Sequence, residues 1–262
     1  MGDSADFMTD FSTITACGEC CAGCSKKAEG SCPGCLEADG RVPEWAESGM
    51  CRIHACCREH HTRFCGLCCE FPCEKLPQMI SWNPEIVQHL SDLRNEYIIR
   101  HVTARYPVRR LSEADIPEVL TLCGKNTLYY RYCPPCVSEQ SLRNDMSALP
   151  PGKTLADKYY IGYFDGGKLI AVLDLILSYP DHGIAWIGFF MLDADRQNHG
   201  VGSSIISELC SFLKQTGINE IRLGWVEGNP QAEHFWHKNG FTETGIKNTG
   251  DKRTVVLARK EI

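Results

Sequence analysis

The run Ala185-Trp186-Ile187-Gly188-Phe189-Phe190-Met191-Leu192-Asp193-Ala194-Asp195-Arg196-Gln197-Asn198-His199-Gly200-Val201-Gly202 decides the fold. Its first eight residues are strongly apolar and read as a strand. Asp193-Ala194-Asp195-Arg196 and a loop with two glycines come next. From there Val201, Ile205, Leu209 and Phe212 or Leu213 fall on one face of a helix. Strand, glycine loop and helix N-terminus in that order build an anion site. The first amides of a helix have no partner inside it, and they sit at the positive end of its dipole. Gly200 and Gly202 lack the Cβ atoms that would hold a phosphate away from those amides.

One strand later comes Asn229-Pro230-Gln231-Ala232-Glu233-His234-Phe235-Trp236-His237-Lys238-Asn239-Gly240-Phe241. Asn229 suits an N-cap, Pro230 the first helical position and Gly240 the C-terminal stop. Together the two segments resemble the GNAT superfamily of acyl-CoA N-acyltransferases. The first matches its Q/R-x-x-G-x-G/A loop through Gln197, Gly200 and Gly202. The second matches its N-x-x-A-x-x-F-Y-x-K-x-G-F helix, with Trp236 where the family usually has Tyr. The resemblance covers about residues 106 to 260. It implies an α+β fold, with a central mixed, largely antiparallel sheet flanked by helices. It also implies acetyl-CoA as cosubstrate and direct transfer of the acetyl group to an amine.

That chemistry sets four tasks. The pyrophosphate needs donors, which the resemblance assigns to the loop of Gln197 and the amides of Asn198, His199, Gly200, Val201, Gly202, Ser203 and Ser204. The pantetheine needs a strand edge, which falls on Phe190, Met191 and Leu192, and the oxyanion needs an amide near Phe190. Asn229 caps its helix and touches the cofactor, with Phe235 and Trp236 beside it. The departing thiolate takes a proton from Tyr in many relatives, but the indole of Trp236 is only a weak donor. Either Tyr130 or His237 serves instead, or the thiolate leaves unaided. For the base, Asp174 interrupts the strand Leu169 to Leu177, which is apolar on both faces. A carboxylate there has partners or a raised pKa, and is either structural or catalytic. Glu227, at the end of the strand before Asn229, is a comparable candidate, and His182 is another.

The chain has 262 residues, room for one large domain or two ordinary ones. Its net charge of −6 gives no reason to expect nucleic acid. No apolar run reaches the length of a membrane helix and no signal peptide is visible, so a cytoplasmic location is expected. Of 17 cysteines, 13 lie between Cys17 and Cys73. Without an export signal, metal-bound thiolates explain them better than disulfides. The spacings are Cys17-x2-Cys20, Cys21-x2-Cys24, Cys32-x2-Cys35, Cys51-x4-Cys56 and Cys65-x2-Cys68, with Cys73 after Pro72. Two C-x2-C pairs complete a tetrahedron around zinc. An iron–sulfur cluster and free apolar thiols are the alternatives.

This segment resembles an uncharacterised prokaryotic cysteine-rich family, through Cys17-Gly18, Cys21, Cys24, Cys32-Pro33-Gly34-Cys35, Cys65, Cys68 and Pro72-Cys73-Glu74-Lys75-Leu76. That resemblance implies metal binding. Two zinc ions are expected: one on Cys21, Cys24, Cys32 and Cys35 with Cys17 competing, the other on Cys51, Cys56, Cys65 and Cys68 with Cys73 competing. His54, His60 and His61 read as surface residues.

Residues 17 to 75 hold few aliphatic side chains and are not expected to build a conventional core, and residues 2 to 16 read as a polar lead-in. A helix from Asn83 through Tyr97 closes the first domain. The expected domains are 1–104, a small metal-stabilised cysteine-rich module, and 105–262, the transferase. In the second, residues 124 to 136 read as irregular, and Cys133-Pro134-Pro135-Cys136 as a stiff loop or a redox or metal pair. The partners are a small-molecule or peptide amine, a protein met through the cysteine-rich module, and a second copy of the chain. Neither nucleic acid nor a membrane is expected. The rival reading is a non-catalytic protein that binds acyl-CoA or senses metal or redox state.

Overall fold

Alternating strands after residue 157 need partners for their backbone groups, and they find them in one sheet. The computed structural model describes residues 9–81, 83–250 and 253–262. They form two compact units, residues 1–97 and 98–262.

The first unit carries α1 (Ser25–Ala28), α2 (Arg52–Glu59), α3 (Leu76–Met79) and most of α4 (Ile86–His101). Its core corrects the expectation that the cysteine-rich segment cannot build one. Phe11, Ile14, Ile53, Phe64, Leu67, Phe71, Leu76, Ile80, Ile86, Leu90 and Leu93 are buried together. Seven of these eleven lie outside residues 17–75, so the segment borrows most of its apolar surface from both flanks. The presumed polar lead-in is one lender. Residues 1–8 lie outside the described ones, but Phe11 packs against Phe64 and Tyr97 at 6.3 and 5.0 Å.

The second unit holds α5 (Ile116–Gly124), α6 (Thr127–Tyr132), α7 (Glu139–Ser147), α8 (Val201–Gln215) and α9 (Pro230–Lys238). Its strands are β1 (Val108–Arg110), β2 (Lys158–Asp165), β3 (Lys168–Leu177), β4 (Ile184–Leu192), β5 (Glu220–Val226), β6 (Thr242–Thr249) and β7 (Thr254–Glu261). They form a seven-stranded sheet in the order β1-β2-β3-β4-β5-β7-β6. The β4–β5 pair is parallel and the others are antiparallel, the mixed and largely antiparallel sheet that the sequence leads one to expect. Gly166 and Gly167 both have positive φ, which closes the β2–β3 hairpin in the hand that matches strand twist.

Residues 127–132 are helical rather than irregular. A run of Tyr, Leu and Arg has only ordinary helix propensity, so packing decides. Here Tyr129 and Tyr130 pack against the buried cluster of α5, α7 and the sheet.

Candidate functional site

The site begins with strands that part. β4 pairs with β5 only from Ile184 to Ile187, opposite Glu220 to Leu223. Past that point the two strands diverge and a cleft opens. On its other edge β4 carries a bulge. Asp174 faces Phe189 and Leu175 faces Ile187, so Gly188 is the extra residue. The bulge re-aims the C-terminal part of β4. Phe189 meets Tyr129 of α6 edge-on at 6.0 Å, while Phe190 stacks on Phe235 of α9 at 5.8 Å. Between these faces lies a cavity of about 500 Å³.

At one end of the cavity is the N-terminus of α8. Gly200, with φ of 79°, occupies the cap position, and a Cβ there would enter open space. That is the clearance a phosphate needs. Gly202 has a different job: its Cβ would come within 3.0 Å of Phe235 and 3.6 Å of Leu192. Its missing side chain lets α8 pack closely, rather than clearing a ligand. The Ser204 amide donates to Gly200 O at 2.9 Å, so it is consumed within the helix. The amides of Val201, Gly202 and Ser203 are left at the first turn.

Of the residues the sequence assigned to the cofactor, Phe190, Met191, Leu192, Gln197, Asn198, Gly200, Gly202, Ser203, Asn229, Phe235 and Trp236 line the cavity. His199, Val201 and Ser204 stand outside this lining. Gln197 acts largely as a strut. Its Nε2 donates to Asn126 Oδ1 at 2.7 Å and to Leu192 O at 3.3 Å, and its Oε1 accepts from Gln231 at 2.9 Å. It therefore ties the end of β4 to α6 and α9. Asn229, 2% exposed, caps α9 by accepting from Ala232 N.

The three catalytic candidates fall in different places, and none of them lines the cavity. Tyr130 turns to the buried Cys123 thiol. Glu227 is exposed and ion-paired with Lys247. Asp174 is the one next to the cleft. A Cβ on Gly188, which lines the cavity, would lie 2.8 Å from Asp174 Oδ2. Both Asp174 oxygens accept from Lys158 Nζ at 2.7 Å, and the Lys158 side chain is 2% exposed. Burial pushes the Asp174 carboxyl above its ordinary range, against the pull of Lys158.

Trp236 is 7% exposed and packs among Phe190, Phe235 and Phe241. His237 points away from the cavity: its Nδ1 lies 3.1 Å from Phe241 O and its Nε2 3.8 Å from Glu243. Glu233, His237 and Glu243 bring their ligand atoms within 4.8 Å of one another, all three exposed. Tyr129, to which the sequence reading gave no role, lines the cavity, and so does Cys133 of the Cys133–Cys136 loop. Burial and the adjacent Cys133 hold the Tyr129 phenol above its usual range. Only the density of tyrosines at 129–132 hinted at this wall. Cys136 is exposed whereas Cys133 is buried, so the two thiols of that loop sit in different environments.

In the first unit the thiols gather in pairs and loose groups. Among the described residues no three cysteine sulfurs lie within 4.8 Å of one another. The Cys35 amide donates to Cys21 Sγ at 3.3 Å, and the Gly34 amide to Cys32 Sγ at 3.4 Å. Cys21, Cys17 and Cys32 are the thiols that bear on Cys35, whose own pKa is pushed up to about 12, chiefly by burial. Cys51 bears on Cys17, and Cys73 on both Cys56 and Cys65. Cys17 in turn bears on both Cys35 and Cys65, so the two halves of the module meet around it. Cys24 caps α1. Soft sulfur donors, some already holding backbone amides, suit a thiophilic ion such as zinc.

Residues 127–241 match the Acetyltransferase (GNAT) family, and residues 25–78 match a family described as a protein of unknown function, DUF3795. No curated protein matches the chain. Among solved structures, an acetyltransferase from Thermus thermophilus shares 16% identity at a TM-score of 0.49, covering 62% of this chain and 99% of its own. The paia N-acetyltransferase of Thermoplasma acidophilum, in complex with coenzyme A, shares 19% at 0.44, covering 59% and 98%. A spermidine N-acetyltransferase chimera from Vibrio cholerae shares 18% at 0.46, covering 60% and 96%.

Proposed function

We propose, for a chain whose second unit belongs over residues 127–241 to the GNAT acetyltransferase family, that it transfers the acetyl group of acetyl-CoA to a small amine. The observation that carries this reading is the cleft between β4 and β5, with the bulge at Gly188 on one wall and the open α8 N-terminus at its end. When bound, acetyl-CoA supplies the acyl group and a thiolate that can leave.

The residues of the chain do the rest. The amides of Val201, Gly202 and Ser203 receive the pyrophosphate at the positive end of α8. The unpaired edge of β4 beyond Ile187 offers amides to the pantetheine and, near Phe190, to the developing oxyanion. Phe190, Phe235 and Trp236 wall the cofactor side and exclude water. Asp174, reaching the cleft through the gap left by Gly188, accepts the proton of the attacking amine, and Lys158 holds it in place. Trp236 donates no acidic proton, so the thiolate departs unaided or with help from the Tyr129 phenol on the opposite wall.

In the first unit, zinc would be held by two groups, one drawn from Cys17, Cys21, Cys24, Cys32, Cys35 and Cys51, the other from Cys56, Cys65, Cys68 and Cys73. Its role there is structural. No helix among the described residues is long and apolar enough to cross a membrane, and we place the protein in the cytoplasm, where thiols stay reduced. A second reading, an acyl-CoA binder without turnover, draws on Trp236. The test is thiol release from acetyl-CoA over a panel of amines. Release that depends on the amine supports transfer; tight acetyl-CoA binding with no release under any amine supports the second reading.

A further inference from the structure

Strand alternation divides the cavity into two walls. Trp225 of β5 packs edge-on to His237 of α9 at 5.4 Å, so Leu223 and Trp225 face α9. Gly224 and Val226 therefore face away from α9. On β7, Val256 pairs with Trp225 and Val255 with Val226, which puts Val255 on that second face too, and Arg253, just before β7, lines the cavity and acts on Tyr129 of the same side. Leu223 pairs with Ile187, so the neighbouring Trp186 also faces away from α9. Phe189 and Tyr129 meet on the same side. The cofactor wall holds Phe190, Phe235 and Trp236. The opposite wall holds Trp186, Phe189, Tyr129, Gly224, Val255 and Arg253, and all six line the cavity.

The charges on this second wall are one-sided. The cavity lining contains no Asp or Glu among the described residues. Further along the same face, Arg222 and Arg259 are both held by Glu220. Arg253 has no carboxylate partner among the described residues. Asp174 is neutralised by Lys158 and Glu227 by Lys247. Tyr129 feels both Arg253 and Asp145 of α7, with opposite effects on its phenol.

Resting on the transferase reading above, we infer that the acceptor is a small zwitterionic amine with an aromatic or large apolar body, of the free amino-acid type. Arg253 takes its carboxylate, and the rings of Trp186, Phe189 and Tyr129 take its body. A guanidinium with no carboxylate partner among the described residues, beside an apolar slot, matches a planar carboxylate through paired N–H donors. Aromatic walls gain from stacking on an aromatic body. Polyamines and aminoglycosides carry several positive charges, and this lining offers them no carboxylate and two repelling cations, Arg253 and Lys238.

The test uses the full-length protein saturated with CoA and titrated calorimetrically with matched pairs. These are L-phenylalanine against 2-phenylethylamine and L-tryptophan against tryptamine, with spermidine as a polycation. The acids are expected to bind about 10- to 100-fold more tightly than their decarboxylated partners, as one charge-assisted contact allows. The Arg253→Gln variant is expected to erase that preference while acetyl-CoA affinity holds. Equal or tighter binding of the decarboxylated amines or of spermidine overturns the inference and leaves the transferase reading standing. No binding by either acid also overturns it. So does an Arg253→Gln variant that keeps the preference but loses acetyl-CoA affinity, because Arg253 would then belong to the cofactor. Because the readout is binding, a lack of turnover would count against the transferase reading and not against this one.

Discussion

Gly188→Ala is the sharpest single perturbation of the site. The added Cβ would lie 2.8 Å from Asp174 Oδ2, closer than real Cβ contacts allow, and 3.4 Å from its Cγ. The neighbour cannot yield cheaply. Asp174 is gripped by the buried Lys158 through both oxygens, and the strand is pinned by the Ile187–Leu175 and Phe189–Asp174 pairs. Overpacking of this kind costs about 1–3 kcal/mol. If relief comes by parting the ion pair, the uncompensated buried charge raises the cost to about 3–5 kcal/mol. At about 2–4 °C per kcal/mol for a unit of this size, even the milder case lowers its Tm by roughly 2–12 °C. The bulge also aims the amides near Phe190, and a displacement of about 1 Å there can cost on the order of 100-fold in kcat. The α8 end is untouched, so acetyl-CoA affinity should hold. Calorimetric melting, titration with acetyl-CoA and steady-state kinetics read the three quantities. Combining Gly188→Ala with Asp174→Ser and Lys158→Met should return part of the lost stability, because the clashing carboxylate and its buried cation leave together. A Gly188→Ala protein with unchanged Tm and unchanged kcat would refute the reasoning.

Other outcomes are expected from the same geometry. Gly200→Val with Gly202→Val should weaken acetyl-CoA binding at least 10-fold by calorimetry, the first by filling phosphate space, the second by forcing Phe235 and Leu192 apart. Trp236→Tyr should change kcat by less than about threefold, since the residue lies within an aromatic cluster and the mechanism assigns it no proton. Elemental analysis of protein purified without added metal should find about two zinc ions per chain, and their removal by a chelator should unfold the first unit while the second keeps its melting transition. Acid should destabilise the second unit through Asp115. The Arg109 guanidinium holds that carboxyl down at about 2, against an ordinary value of 3.8. Its contribution is therefore complete above about pH 4 and lost as pH falls toward 2. Arg109→Met should flatten that part of the denaturation-midpoint curve.

What the sequence disclosed depended on whether local chemistry could express it. The strand Ala185–Leu192, the glycines at 200 and 202 and the cap at Asn229 are local devices. Each left a readable pattern and stands where that pattern implies. Gly202 shows the limit: its spacing was legible, but its contact with Phe235 depends on a helix 28 residues later in the chain. The bulge at Gly188 was hidden because it depends on register against β3. The partnership of Lys158 with Asp174 was hidden for the same reason, although Asp174 itself stood out as a charge in an apolar strand. Tyr129 was passed over because an aromatic run without periodicity reads as a loop until a neighbouring sheet orders it. In the first unit, spacing pointed to thiol pairs, but their grouping rests on chain crossings that spacing does not encode. There Cys51 and Cys73 come to neighbours other than those nearest in sequence.

The central claim is that the cleft between β4 and β5 performs amine-dependent acetyl transfer. The most direct measurement tracks thiol release from acetyl-CoA in the presence of aromatic amino acids, together with mass analysis of the amine. The account predicts release in step with a gain of one acetyl group on the amine, nearly abolished in Asp174→Asn with acetyl-CoA affinity unchanged. Acetyl-CoA bound in the cleft with no acetylated product from any amine in the panel would contradict it.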